Sequence, residues 1–237
     1  MSNVQPDIIK IKSGELSGAN LSGMDLRGYS FRGSNLRGAN LSNSNIAEVD
    51  FWGANLQKTI LDGANARLAS MQGANLSDAR GSDVNFWGVN FKVAILERIV
   101  LHDSILAQAD MPGVKCNKGN FSGSNMFGID LRLSSLKEVN FGKTDLSGSR
   151  LDSANFSKAN LRDAEVLNAS ARDTNFSNTD LQRANFEDSN LLKANLTGAD
   201  FTSANLKDVS LREAIINNTI MPDGTIINEP LKEWLTH

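Results

Sequence analysis

Large apolar residues recur at every fifth position of this chain, and the repeat never loses its register. The series contains 42 positions from Leu16 to Met221, of which Leu occupies 21 and Phe occupies 10. We call these positions the centres. A small or β-branched residue stands two positions before nearly every centre, Asn or Asp stands immediately before most of them, and 14 of the 19 glycines stand two positions after a centre. The repeating unit is therefore A-N-L-S-G.

A repeat of five fits neither a regular helix nor a flat strand. Five helical steps of about 100° each would move successive centres to different sides of the helix. In a strand, an odd spacing would place successive centres on opposite faces of the sheet. A chain that turns a corner every five residues fits the pattern, because each centre then points to a common axis, and Asn, Asp and Gly suit tight turns. The spacing predicts a solenoid, with either three or four corners per coil.

The repeating unit resembles a known family. The segments 39–43 (ANLSN), 54–58 (ANLQK) and 194–198 (ANLTG) are similar to the A(D/N)LXX unit of pentapeptide-repeat proteins, and the resemblance covers about nine-tenths of the chain. It implies an all-β fold, namely a right-handed quadrilateral β-helix with 20 residues per coil and about ten coils. The run Thr219–Thr225 also resembles the ending of many cyanobacterial members.

Both ends of such a solenoid need covering, because each exposes core and unpaired backbone. We expect an N-terminal edge or cap at residues 1–12, the β-helix at 13–222, and a C-terminal turn with a short capping helix at 223–237. Pro230 stands where a helix begins, and the apolar residues after it share one helical face. The N-terminal segment is a thin lid, which leaves a monomer and an end-to-end homodimer as alternatives.

The residues that precede the centres, which we call the ladder positions, predict a second feature of the solenoid. Asn and Asp there should bond to the turn backbone and stack on successive coils. Residues 95–118 replace ladder Asn by Ile95, Val100 and Ile105 but keep every centre. We therefore expect this segment to continue the coil stack with an altered surface and without a projecting loop.

The charge balance and the termini bear on the class of partner. Lys and Arg number 24 against 27 Asp and Glu, so the chain lacks the basic footprint of proteins that bind nucleic acids or anionic membranes. No apolar run approaches a membrane span, and the first residues lack a secretory signal pattern. We expect a cytoplasmic protein without direct contact to nucleic acid or membrane.

Few residues suited to catalysis or metal binding are present. The single cysteine, Cys116, occupies a centre between Leu96 and Leu136, so we expect a buried core residue rather than a reactive thiol. His102 faces outward beside Asp103, and with only one other histidine it predicts a solvated side chain rather than a ligand. No glycine motif for phosphate binding is present. The sequence therefore predicts neither an enzyme nor a bound cofactor or metal.

One surface feature is a candidate binding site. If residues 20 positions apart stack, Trp87 and Phe127 lie in one outward column, and each is followed by a glycine that leaves it uncovered. Single exposed apolar residues are ordinary, but aligned ones tend to mark partner sites. The alternative that these residues have no role in binding stays open. We call this candidate protein-binding surface the apolar column, and its residues are Leu68, Trp87, Ile105, Phe127 and Leu167.

These observations favour a non-enzymatic protein-interaction or regulatory scaffold for an unknown protein partner in an unknown pathway. The family resemblance implies an alternative, because some members modulate DNA gyrase by mimicking duplex DNA with an acidic rod. Mimicry requires carboxylates spaced along one side as phosphates are. The most acidic face counted from the sequence carries seven acids and four bases, and the neighbouring face carries seven bases and four acids. An enzyme is the least favoured alternative.

Overall fold

Backbone pairing between residues 20 positions apart builds the molecule. The computed structural model describes residues 14–228. Parallel bridges join each ladder position to the ladder position 20 residues later, as in Asn20 to Asn40 and Asn155 to Asn175, and they run from Glu15 to Ile220. Four ladder positions fall within each 20 residues. Each coil therefore has four sides, which agrees with the four corners that the family resemblance implies.

Regular strands are short in this arrangement. β1 (Arg80–Ser82) pairs in parallel with β2 (Val100–His102), and β3 (Thr219–Ile220) pairs antiparallel with β4 (Ile226–Ile227). The remaining pairing consists of isolated bridges. Within residues 14–228, no helix has the length and apolar content that crossing a membrane requires.

The turns explain the position of the glycines. The residue two after each centre from Leu16 to Ile216, which we call the turn position, has a left-handed backbone, with φ between 51° and 62° in 27 residues that are not glycine. Glycine adopts this conformation without steric cost. In most turns the next N–H closes the corner on the carbonyl of the centre, as in the 2.8 Å bond from Ala64 N to Leu61 O. The glycine periodicity thus reflects one backbone conformation repeated at every corner.

The centres form the core, as the sequence predicts. They are buried along almost the whole stack, and only Leu206 and Met221, near the C-terminal end, are partly exposed. Phenylalanines on successive coils stack on each other, with ring centroids 5.3 Å apart for Phe31 and Phe51. The small residues two before the centres are mostly buried as well. Tyr29 is an exception and is exposed near the N-terminal end of the stack.

The predicted side-chain ladders are present. Asn140 Nδ2 donates to Asn120 Oδ1 at 3.0 Å, and Asn160 Nδ2 donates to Asn140 Oδ1 at 2.9 Å. The side-chain oxygen also accepts the backbone N–H two residues later, as in the 3.0 Å bond from Arg162 N to Asn160 Oδ1. One amide side chain therefore stabilises both its own turn and the contact between coils.

The middle of the chain stays in the stack, as expected. Ile95 pairs with both Asn75 and Lys115, and no loop projects between residues 95 and 118. Gly81 is a centre without a side chain, and a Cβ there would lie 2.7 Å from Val84 Cγ2. The larger residue at position 84 therefore occupies the space that the missing side chain leaves in the core.

At several corners of the stack, a serine hydroxyl group replaces part of the turn pattern. Ser104 Oγ accepts the N–H of Val84 at 3.1 Å, and Ser134 Oγ accepts the N–H of Val114 at 3.2 Å. Ser134 Oγ also donates to Met111 O at 2.9 Å. In these turns a hydroxyl from the next coil takes the place of the carbonyl of the centre, so that the backbone N–H remains paired.

At the C-terminal end, a turn precedes β4. Thr225 N donates to Asp223 Oδ1 at 2.9 Å, and Gly224 N donates to Met221 O at 2.9 Å. The capping helix expected from Pro230 onward and the N-terminal segment 1–12 lie outside the described residues.

Candidate protein-binding surface

The apolar column lies along one corner of the coil stack. Leu68, Ile105 and Phe127 are exposed, with 44%, 44% and 49% of their surface accessible, whereas Trp87 and Leu167 are half-buried. Successive coils are separated by about 4.8 Å, the spacing of hydrogen-bonded strands. The structure therefore places all five residues on the surface of one side of the rod, over neighbouring coils.

Side chains of the preceding coil cover part of Trp87. The guanidinium carbon of Arg67 lies 4.6 Å from the centroid of the Trp87 ring, which is a cation–π contact. Leu68 extends over Gly88, where a Cβ would lie 2.8 Å from Leu68 Cδ2. The glycine after Trp87 leaves the ring uncovered within its own turn, and the covering side chains come from the same corner of the preceding coil.

Ala107 and Phe127 continue the column. Ala107 occupies an outward position, yet only 8% of its surface is accessible, because larger side chains occupy the same position one coil before and one coil after it. The ring of Phe127 reaches toward Gly148, where a Cβ would lie 3.8 Å from the ring. Gly88 N donates to Ala107 O at 3.0 Å, and Gln108 N donates to Phe127 O at 2.8 Å. The column thus rests on paired backbone.

A second exposed apolar group, which the sequence pattern was not taken to predict, lies on the adjoining corner. Val93 and Leu133 are 59% and 71% accessible, and Gly113 lies between them in the stack. Both occupy turn positions, with φ of 52° and 60°. A β-branched residue such as Val93 strongly disfavours this conformation. Apolar residues at positions that otherwise hold glycine or polar residues were the signal that could have identified this group.

Trp52 lies on that adjoining corner, apart from the apolar column. Its ring lies 4.1 Å from the guanidinium carbon of Arg32, and the residue is exposed. Trp52 and Trp87 therefore share the same kind of contact with an arginine of the preceding coil. The chain offers in Trp52 a matched control for substitutions of Trp87.

The residues considered for chemistry have ordinary surroundings. Cys116 is fully buried, and burial raises the pKa of its thiol, which keeps it protonated. The structure confirms that it is a core residue. His102 Nδ1 lies 2.8 Å from Asp103 Oδ2 on the surface. Over residues 14–228, no group of three or more His, Cys, Asp or Glu side chains is arranged to hold a metal ion.

A shallow depression of about 370 Å³ crosses the face next to His102. Gly123 and Gly142 form part of its lining and leave it open, since they have no side chains. Its charged groups are largely engaged with other residues. Arg162 pairs with Asp180 at 2.9 Å, and Asp163 pairs with Arg183 at 2.6 Å. Charged groups that are already paired are less available to a ligand. The apolar column is therefore the better candidate for a binding site.

Comparisons with known proteins agree with this geometry. The family model described as pentapeptide repeats (8 copies) matches residues 15–53, 53–80 and 179–218, and the one described as pentapeptide repeat region matches residues 128–196. The chain belongs to the pentapeptide-repeat family. A comparison with curated proteins gives no match.

Solved structures resemble the chain at low sequence identity. A trypsin-treated form of QnrB1, a plasmid-mediated fluoroquinolone resistance protein, is 20% identical with a TM-score of 0.58, and the match covers 76% of this chain and 91% of that one. HetL from Nostoc sp. strain PCC 7120, a pentapeptide-repeat protein involved in heterocyst differentiation regulation, is 26% identical over 96% of this chain and 100% of its own, with a TM-score of 0.35. The likeness to QnrB1 shows the fold.

Proposed function

We propose that this protein is a non-enzymatic scaffold and that the apolar column binds a protein partner. The observation that carries the proposal is the alignment of exposed Leu68, Ile105 and Phe127 on one corner within four successive coils. Isolated apolar residues are normal on any surface, but contiguous patches mark partner sites. Here the patch includes two aromatic side chains, the residue type most enriched among binding hot spots.

The rigidity of the rod supports the same proposal. Backbone bonds to the next coil lie on either side of Ala107 and hold the column in place before any partner arrives. A surface that is already ordered loses little conformational entropy on binding. The column can therefore bind through a few anchoring side chains, without rearrangement of the coils.

One double variant and one single variant test this function. A photocrosslinking residue at position 107 captures the partner from the source cells, and mass spectrometry identifies it. The affinity of the identified partner is then measured for the wild type, for Trp87→Ser with Phe127→Ser, and for Trp52→Ser. We expect the double variant to keep its melting temperature, because neither residue is a centre, and to lose about 2 kcal/mol of binding free energy.

Trp52→Ser serves as the control, because it removes an exposed tryptophan with the same arginine contact from another corner. Its affinity should equal that of the wild type. A folded double variant with undiminished affinity would contradict the proposal and would show that the column has no role in binding.

Mimicry of duplex DNA is the competing function. It requires a row of carboxylates that are free to imitate phosphates. On the face that carries Asp163 and Asp180, both carboxylates are paired with arginines. A supercoiling assay with DNA gyrase separates the two functions, because a mimic should inhibit the enzyme and should still do so after the apolar column is changed.

The proposal includes finer features of the fold and location. The family resemblance implies a right-handed coil and about ten coils in all, the sequence pattern around Pro230 predicts a capping helix within residues 223–237, and the N-terminal sequence predicts a cytoplasmic location. The 20-residue pairing supports the coil length on which the estimate of ten coils depends. A crystal structure of the full chain, together with light scattering, tests the handedness, the cap and the choice between monomer and end-to-end homodimer.

A further inference from the structure

The apolar column continues into an acidic stretch on the same corner. Between Trp87 and Asp188, the ladder positions and the two positions after each centre on this corner contain no Lys or Arg. They contain four carboxylates, all of which follow Phe127 in the chain. These are Asp145, Glu165, Glu187 and Asp188. The corner is thus apolar in its first coils and acidic in its later ones.

Two of these carboxylates are stacked without a compensating cation. Asp145 and Glu165 pair as neighbouring ladder positions, so their side chains lie on adjacent coils. Asp145 Oδ1 accepts Ser147 N at 2.9 Å, and Glu165 Oε2 accepts Asn185 Nδ2 at 2.9 Å. In the part of the chain that the structure describes, no Lys, Arg or His lies within ion-pair distance of either. Like charges that face each other across a strand pair are unfavourable.

Several other carboxylates on the rod have a cation one coil away. Asp78 pairs with Arg98 at 2.7 Å, and Asp163 pairs with Arg183 at 2.6 Å. On the acidic stretch itself, Glu187 pairs with Lys207. Asp145 and Glu165 are therefore the stacked pair of carboxylates on this corner that a cation from another molecule could neutralise.

We propose that the partner presents a cationic, apolar-anchored polypeptide segment to this corner. This inference rests on the proposed function and specifies the chemistry of the partner. The apolar side chains of the segment contact Trp87 and Phe127, and its Lys or Arg side chains contact Asp145 and Glu165. The other end of the column carries both Arg67 and Glu48, so the net negative charge of the corner, and with it the cationic half of the segment, lies at Asp145 and Glu165. Trp87 and Glu165 are four coils apart, about 19 Å, which about six extended residues cover.

Fluorescence anisotropy with three synthetic peptides tests the inference. The peptides share an apolar half with Leu and Phe and differ in the other half, which carries Lys, Gln or Glu. We expect the Lys peptide to bind the wild type at least about tenfold more tightly than the Gln peptide, and the Glu peptide to bind most weakly. Raising the ionic strength should reduce the difference, since the carboxylates are on the surface.

Variants then locate the peptide. Asp145→Asn with Glu165→Gln should weaken the Lys peptide about tenfold, while Asp83→Asn with Asp173→Asn, which removes two exposed charges from other corners, should leave it unchanged. Trp87→Ser with Phe127→Ser should weaken all three peptides. Equal binding of the three peptides, or equal effects of the two carboxylate pairs, would overturn the inference.

The two proposals fail in different ways. If the three peptides bind equally but the aromatic double variant binds none of them, the column is a binding surface and the cationic chemistry proposed for the partner is wrong. If the aromatic double variant binds the Lys peptide as well as the wild type does, the function proposed for the apolar column is wrong as well.

Discussion

Residues 80–135 and residues 140–205 stack the same 20-residue coils around the same row of buried centres, but their surfaces differ. In the second region, Asn140 and Asn160 form side-chain ladders at the positions before the centres. In the first region, Ile95, Val100 and Ile105 occupy these positions. Five of the ten exposed large hydrophobic residues of the described chain lie in the first region, and none lies in the second.

The fold determines the residue types at the inward positions and leaves those at the outward positions free to vary. Burial fixes the centres and the small residues beside them, because their side chains share the axis of the rod. Outward positions need only a residue that the turn tolerates. The region in which outward positions depart from the repeat is therefore where we place the binding surface.

The largest effect should come from the core, and it should be the same in both regions. Phe86→Ala in the first region and Phe156→Ala in the second each remove a fully buried ring and should each cost about 3–5 kcal/mol of unfolding free energy. Phe127→Ala removes an exposed ring and should cost less than about 1 kcal/mol. Denaturant unfolding measures all three. A much smaller cost for Phe86 than for Phe156 would mean that the cores differ.

The buried hydroxyl of Ser134 in the first region should contribute more to stability than that of Ser149 in the second. Ser134→Ala removes the acceptor of Val114 N and should cost about 1–3 kcal/mol, because the buried N–H loses its partner. Ser149 is buried too, but its Oγ has no hydrogen-bond partner among residues 14–228. Ser149→Ala should therefore be neutral or stabilising in the same unfolding measurement. A loss of stability at Ser149 equal to that at Ser134 would contradict the assigned role.

Acid should weaken one ion cluster of the first region. Burial of Asp130 opposes its ionisation, but hydrogen bonds from Arg132 and the charges of Arg132 and Arg150 outweigh burial and lower the pKa of the carboxyl. A carboxyl with a lowered pKa stabilises the fold above its unfolded pKa of about 3.9, and this contribution is lost as the pH falls through the folded value. Asp130→Asn should flatten the acid side of the stability profile. An unchanged slope below about pH 4 would show that the cluster contributes nothing.

A smaller effect of the opposite sign should come from the strained turn position. Val93 has φ of 52°, a conformation that Asn tolerates and a β-branched residue does not. Val93→Asn should therefore raise the unfolding free energy by about 0.5–1 kcal/mol. Asp173→Asn, at the corresponding position in the second region, should change it by less than about 0.5 kcal/mol. A destabilised Val93→Asn would indicate that the valine side chain contributes to packing.

The sequence predicted the inside of the rod better than its surface. The period of five excludes both a helix and a flat strand. It therefore predicted a chain that turns every five residues, with Leu and Phe as buried centres on a common axis. The four-sided coil depended on the family resemblance, since the spacing alone also permits three sides. The stacking of Arg67 on Trp87 was missed, because it joins residues on successive coils and depends on side-chain direction. The serine contacts between coils were missed for the same reason.

Hydrogen exchange of the backbone amides tests most directly whether the two regions form one continuous stack with different surfaces. Lys115 N donates to Ala94 O at 3.1 Å, and Asn155 N donates to Ser134 O at 2.9 Å. In a single stack these amides open only with the coils around them, so we predict equal protection for the two. Protection of Lys115 and its neighbours as low as at the ends of the described chain would contradict this account, because it would make the middle region a hinge rather than a rigid surface.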